Sequence, residues 1–281
     1  MSWGNAPGGA KIDGELDWTR KQNPPGKRLQ DQFVLVTGSS RGFGKLIALA
    51  MAEEGAHVAV NYVRSQSAAE EVVKLIECKG RKSIAVQADI SKWDQVNNLT
   101  EAIWKEWGRC DVVVNNAGET AATQMSWRDM TEDSIDETFD LDIKGTLLVT
   151  HAFGKQMLDE QKSGSIVNIC SNVISTGSPR APQYAAAKYA MLGTTKSYAL
   201  AFAPYVRVNI AAPGYMDTET LRDRSDWTPQ RKKWIVDHTP LKSIGKPENI
   251  VPVVLFLASQ DSIHMTGNTV ICDGGFSMPG A

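Results

Sequence analysis

Phe33-Val-Leu-Val-Thr37-Gly-Ser-Ser-Arg-Gly-Phe-Gly44 is the stretch on which the reading of the chain turns. Its first residues form a short run of β-formers with no polar interruption, the pattern of a strand covered on both faces. Three glycines, Gly38, Gly42 and Gly44, follow. From Gly42 to Glu54 apolar residues then recur at three- and four-residue spacing, as along one side of a helix. A glycine-lined turn between a strand and a helix start lets backbone amides face a phosphate, backed by the partial positive charge of the helix N-terminus. A glycine cluster alone says little, and its place directly after a first strand gives it weight.

Working outward, the same alternation repeats. Short apolar runs predict strands at Phe33–Thr37, His57–Asn61, Ser83–Gln87, Asp111–Asn115, Ser165–Ile169, Val206–Ile210 and Asn268–Cys272. Amphipathic spacing predicts helices over Gly42–Glu54, Ser67–Lys79, Trp93–Trp107, Glu132–Glu160, Pro182–Ala203 and Pro247–Ser259. Strands alternating with helices imply right-handed crossovers on a parallel sheet. The expected fold is therefore α/β: a doubly wound, Rossmann-type layer of seven parallel strands with helices on both faces and ligands beyond the strands' carboxyl ends.

With 281 residues, one such domain over 32–281 preceded by a flexible arm over 1–31 accounts for the length. The arm, with Ala6-Pro-Gly-Gly-Ala10 and Asn23-Pro-Pro-Gly26, has no apolar core of a signal peptide. No stretch is long and apolar enough for a membrane span. A near-balance of 30 Lys+Arg and 32 Asp+Glu gives no support to a nucleic-acid partner. Cys78, Cys110, Cys170 and Cys272 are scattered, as are His57, His151, His238 and His264, so neither a disulfide framework nor a metal site is expected. Reduced thiols match a cytoplasmic protein.

Further motifs follow in order. Asn115-Asn-Ala-Gly118 closes the fourth strand, Ser171 stands thirteen positions before Tyr184, Tyr184 and Lys188 are four apart at the start of a helix, and Pro213-Gly214 with Thr218 follows the sixth strand. With Thr37-Gly-x-x-x-Gly-x-Gly44, they make residues 32 to 278 resemble the short-chain dehydrogenase/reductase family. The resemblance implies a nicotinamide-dependent oxidoreductase that moves a hydride between the cofactor and a ketone or secondary alcohol. It implies Tyr184 as general acid or base, Lys188 as the group that tunes it and holds the nicotinamide ribose, and Ser171 as the donor to the substrate oxygen. On the residues alone Ser175 and Ser178 compete with Ser171. The physical sense is plain: residues four apart share a helix face, a phenol near pKa ~10 is a poor acid–base group at neutral pH, and a neighbouring ammonium favours the phenolate. One position departs from the family, whose usual Asn in the helix before the fifth strand is here Asp142 within Leu141-Asp-Ile-Lys-Gly-Thr146. A carboxylate accepts hydrogen bonds but cannot donate as an amide does; the plainer reading is that Asp142 caps or kinks its helix.

For the cofactor, the resemblance implies contacts from Gly38, Ser40, Arg41, Gly42, Phe43 and Gly44 in the turn, Asn61, Tyr62, Arg64 and Ser65 after the second strand, Asp89 and Ile90 after the third, Asn115, Ala117 and Gly118 after the fourth, Tyr184 and Lys188, and Pro213, Gly214 and Thr218. An acidic residue after the second strand would suit NAD. Tyr62 stands there, with Arg41 and Arg64 nearby, and guanidinium suits a 2′-phosphate, so NADP(H) is expected over NAD(H). Residues 215–246 are expected to form a substrate lid, in which Trp227 and Trp234, like Trp127 elsewhere, serve either an apolar substrate or packing. The motifs are close to those of 3-oxoacyl-carrier-protein reductases, yet Ser197-Tyr-Ala-Leu-Ala-Phe-Ala-Pro204 is apolar where those reductases tend to be charged. A small carbonyl or alcohol substrate is thus the leading expectation, with a 3-oxoacyl thioester as an alternative and a non-catalytic NADP(H) sensor as another. The apolar helix suggests a homodimer or homotetramer.

Overall fold

The structure, a computed structural model, describes residues 27–119 and 124–278. Seven strands form one sheet in the order β3-β2-β1-β4-β5-β6-β7, every neighbouring pair parallel. They are β1 (Phe33–Val36), β2 (His57–Tyr62), β3 (Ser83–Gln87), β4 (Val112–Asn115), β5 (Gly164–Ile169), β6 (Val206–Pro213) and β7 (Thr269–Cys272). The helices are α1 (Gly42–Glu53), α2 (Gln66–Glu77), α3 (Trp93–Trp107), α4 (Glu132–Thr138), α5 (Thr146–Asp159), α6 (Val173–Thr176), α7 (Pro182–Phe202), α8 (Glu219–Arg222), α9 (Pro229–His238) and α10 (Val251–Ala258). One apolar core joins α1, α2 and α10 to one sheet face, and a second joins α3, α5 and α7 to the other. This is the doubly wound layer expected from the alternation, with the strand order reversing beside β1 so that the crevice beyond β1 and β4 is its natural ligand site.

Three expectations need correction. The arm was set to end at residue 31, but Leu29 is fully buried in the core with α1, its amide donating to the Glu54 carbonyl at 2.9 Å, while that of Asp31 donates to the Gly55 carbonyl at 2.9 Å. The rest of the expected arm, residues 1–26, lies outside the described residues. The single helix expected over Glu132–Glu160 is interrupted by a π-helical segment, Phe139–Gly145, because the wider turn carries Asp142 to the inside of the fold. The helix expected from Pro247 begins as a 3₁₀ turn and becomes α-helical only at Val251, where Pro252 occupies a first-turn position that needs no amide hydrogen.

Candidate active site

The turn after β1 is shaped by its glycines. Gly38 and Gly42 have positive φ, +62° and +56°, which a side chain disfavours. A Cβ on Gly44 would overlap the Gly38 carbonyl and the Asn116 side chain, whereas one on Gly42 would meet nothing within 4 Å. The turn is therefore closed to side chains on its inner side and open on its outer side. Behind it, α1 starts with no carboxylate in its first turn, so the amides at its N-terminus keep their affinity for an anion. This cradle fits a pyrophosphate.

Two residues outside the expected site hold the cradle. The Thr37 hydroxyl accepts the amides of Asn116 and Ala117, both at 3.0 Å, and the Asn116 side chain donates to the Thr37 carbonyl at 2.9 Å. Both residues lie inside the quoted motifs, so the signal was present. Several positions expected to line the groove spend their side chains internally. Asn61 accepts from the Gly38 amide at 3.0 Å and donates to the Ala88 carbonyl at 3.0 Å. Tyr62 and Ile90 are buried, and Phe43 packs against the core. Asn115 donates to Thr150 at 2.9 Å and Asn168 at 2.8 Å. Ser65 and Thr218 cap α2 and α8. Asp89 accepts from the Ser91 amide and hydroxyl. Asn61 and Tyr62 thus turn buried side chains into the fold, and their carbonyls accept the amides of Ser39 and Ala88, both at 2.9 Å, whereas Asn115 Oδ1 is buried without a partner among the described residues. Arg41 and Arg64 differ, being exposed and in no salt bridge among the described residues.

The residues expected to react gather beyond β5. Ser171 follows this strand, its hydroxyl accepting the Val173 amide at 3.4 Å, and Tyr184 stands in the first turn of α7, near enough for Ser171 to favour its phenolate. Lys188, one turn further on and 5% exposed, places its Nζ 5.4 Å from the centroid of the Tyr184 ring. Asp142, 1% exposed, reaches Lys188 Nζ at 3.0 Å through Oδ2 and accepts the Glu119 amide at 2.6 Å through Oδ1. Gly118 leaves the necessary room, because a Cβ there would lie 2.9 Å from Asp142 Oδ1 and 3.3 Å from Lys188 Nζ. Asp142 is thus the partner of a buried ammonium. Burial works against the charge on Lys188, but the Asp142 carboxylate more than offsets it and the lysine is held protonated well above its ordinary range. The consequence for Tyr184 differs from the lysine-only expectation: burial and then Asp142 push its phenol up, outweighing the favourable effects of Lys188 and of Ser171.

Further residues close the substrate side. Asn172, next to Ser171, donates to Asp273 at 3.3 Å, and Phe276 meets Tyr215 edge-on at 5.2 Å and Trp234 at 6.0 Å. These contacts join distant parts of the chain, and no spacing pattern announced them. Trp127 stays half exposed beneath Arg128, whose guanidinium is 4.4 Å from its ring.

A phosphate-binding turn at the reversal of a parallel sheet, facing a Ser–Tyr–Lys set, defines a dinucleotide-dependent oxidoreductase. A family model described as enoyl-(acyl carrier protein) reductase matches residues 38–277. A 3-oxoacyl-[acyl-carrier-protein] reductase of Staphylococcus epidermidis is 38% identical over 249 residues, spanning 88% of this chain and 100% of that protein. Among solved structures, a gluconate 5-dehydrogenase from Burkholderia cenocepacia in complex with NADP and tartrate superposes with a TM-score of 0.83 at 28% identity, covering 90% of this chain and 98% of that one. A 7α-hydroxysteroid dehydrogenase complexed with NADH and 7-oxo glycochenodeoxycholic acid gives 0.83 at 27% identity, covering 91% and 98%. The chain belongs to the short-chain dehydrogenase/reductase family, enzymes that interconvert CH–OH and C=O.

Proposed function

We propose that this chain is an NADP(H)-dependent ketoreductase or secondary-alcohol dehydrogenase in which Tyr184 is the proton carrier. The observation that carries the reading is the Lys188 ammonium, buried on Asp142 at 3.0 Å and 5.4 Å from the centroid of the Tyr184 ring, one helical turn from that phenol. When bound, the nicotinamide supplies or accepts the hydride at the carbonyl carbon. In the reducing direction Ser171 donates a hydrogen bond to the carbonyl oxygen and stabilises the charge developing there, while Tyr184 gives its hydroxyl proton to that oxygen. Alcohol oxidation reverses the transfer, Tyr184 taking the proton. Lys188 makes the resulting phenolate tolerable in a buried site. NADP(H) is favoured over NAD(H) by two exposed guanidiniums, Arg41 at the turn and Arg64 beyond β2, in a groove whose second strand ends in Asn61 and Tyr62 rather than a carboxylate.

The test is consumption of NADPH against a panel of ketones, with Tyr184→Phe as the control. Turnover lost in that variant with cofactor binding kept is the expected result. Binding without turnover on any ketone or alcohol would leave a sensor in place of an enzyme. Replacing both Arg41 and Arg64 by Ala is expected to weaken NADPH binding about tenfold or more while sparing NADH; equal losses would overturn the cofactor assignment. The relatives named for 3-oxoacyl thioesters make that substrate the second reading, and a 3-oxoacyl thioester outperforming every small ketone would establish it. For assembly we propose a homodimer or homotetramer. Within the apolar stretch of α7 that suggested it, Ala199 and Phe202 are covered by the chain's own core and Leu200 is exposed. Light scattering decides the matter, a monomeric mass excluding both forms.

A further inference from the structure

A cluster of guanidiniums stands on the substrate side of the fold and has no part in the proton transfer. Arg224, 11% exposed at its side chain, grips Asp226 with two hydrogen bonds of 2.8 and 2.6 Å. Arg231, in the first turn of α9, approaches the same carboxylate at 3.3 Å, and its Nε is buried with no hydrogen-bond partner among the described residues. Arg180, one turn of chain ahead of Tyr184, lies within the field of both arginines and of Asp226, with Tyr215 beside it. Two guanidiniums, Arg224 and Arg231, therefore share one carboxylate, an arrangement with surplus positive charge, and Arg180 stands within their field.

The cluster sits where the three walls of the substrate side meet. Arg180 donates to the Gln124 carbonyl, and the Gln124 side chain donates back to the Arg180 carbonyl at 2.8 Å. Gln183, the neighbour of Tyr184, donates to the Gln124 side chain. Ser225 touches Met125 at 3.0 Å, joining the lid to the segment after β4. The start of α7, the segment after β4 and the lid thus converge on one cationic corner beside the proton carrier. Purely structural ion pairing would match charges, because unbalanced like charges in a half-buried corner repel one another. Surplus guanidinium instead suits an incoming oxyanion, which it binds with paired N–H donors.

We propose that Arg180, Arg224 and Arg231 seat an anionic group of the substrate, so that the reaction proposed above acts on a small carbonyl compound carrying a carboxylate or phosphate. The apolar second half of α7 and the part-buried side chains of Arg224 and Arg231, 11% and 38% exposed, favour a small anion over an acidic carrier protein. This inference rests on the oxidoreductase reading but is tested apart from it. The probes are 4-oxopentanoate against its methyl ester and dihydroxyacetone phosphate against dihydroxyacetone. Each is assayed for KM and kcat, and for direct binding by calorimetry to the NADPH-loaded protein, which registers the anion even without turnover. An anionic member is expected to be preferred, and Arg231→Gln and Arg180→Gln are expected to raise its KM and dissociation constant about tenfold, with the neutral partner and kcat unchanged. Arg231→Lys should restore part of the loss. The identity of the preferred anion separates carboxylate from phosphate. Equal handling of charged and neutral partners, equal losses for both in the variants, or a carrier-linked 3-oxoacyl thioester whose KM ignores these arginines would overturn the proposal. Binding of the anion that depends on Arg231 without turnover of any carbonyl would uphold it and remove the oxidoreductase reading instead.

Discussion

At position 142 a single atom changes the electrostatics of the reacting centre. An Asn amide would give Lys188 a neutral neighbour; the Asp142 carboxylate, 3.0 Å from the ammonium, cancels much of the charge that would otherwise favour the Tyr184 phenolate. Burial raises the phenol first, Asp142 adds to the rise, and Lys188 with Ser171 only partly opposes it. Removing the carboxylate charge must move the phenol down. In Asp142→Asn the rise of kcat/KM with pH for alcohol oxidation should shift to lower pH by on the order of one unit, and the decline of ketone reduction at high pH should shift the same way. An unmoved profile would show that the pair does not govern the proposed proton carrier, Tyr184. Stability reads the other side of the same contact. Asp142→Ala strands a buried ammonium, a change that costs about 3 kcal/mol or more in chemical denaturation, whereas Asn keeps an acceptor and should cost less.

The elements that carry this site are themselves set by packing at single positions. Helices α5 and α7 cross at Gly154, where a Cβ would overlap the Phe202 ring, itself buried and stacked on Tyr198 at 4.7 Å. Alanine in a helix interior is favoured over glycine by about 1 kcal/mol, but overpacking a filled core costs about 1–3 kcal/mol. Phe202 is enclosed on its other side, so the second effect wins: Gly154→Ala should lower the melting temperature by several degrees, and Gly154→Ala with Phe202→Leu should recover part of the loss. An unchanged melting temperature would mean that α7 shifts freely, which the Tyr184–Lys188 geometry could not tolerate. The sequence pattern showed α7 nearly to its observed bounds and α5 only as the end of one longer helix. It missed the π-helical segment Phe139–Gly145, since one extra residue in a turn changes no composition and its cause, the Asp142–Lys188 contact, joins two distant segments. Between β6 and β7, Thr218 and Thr228 are legible as caps for α8 and α9, the latter followed by Pro229 in the first turn.

Across the whole molecule, the fold was readable and the proposed Tyr184–Lys188 set could be nominated because both rest on local patterns: apolar runs, a glycine turn, and a Tyr and Lys one helical turn apart. What was hidden is how strand ends from different parts of the chain are fastened over the site. Asp273, just after β7, is the fastening. It accepts the amides of Gly275 and Ser277, both at 2.9 Å, the Ser277 hydroxyl at 2.6 Å and the Asn172 side chain at 3.3 Å. Its own Cβ and Cα fill the space that a side chain at Gly214 would need. Ends of β5, β6 and β7 are thereby joined beside Ser171, with Phe276 set against Tyr215 and Trp234. Burial alone would raise the Asp273 carboxyl, but these donors outweigh it and hold the group below the ordinary carboxylate range. A depressed carboxyl stabilises the fold above its unfolded pKa and loses that contribution as pH falls through its folded one. Asp273→Asn should therefore destabilise the protein near neutrality and flatten its stability between roughly pH 4 and lower values, while raising KM for the carbonyl substrate more than it lowers kcat, because the Tyr184 set stays in place. A variant as stable as the parent at pH 7, with the same acid limb and the same KM, would show that the segment after β7 closes over the site without this carboxylate.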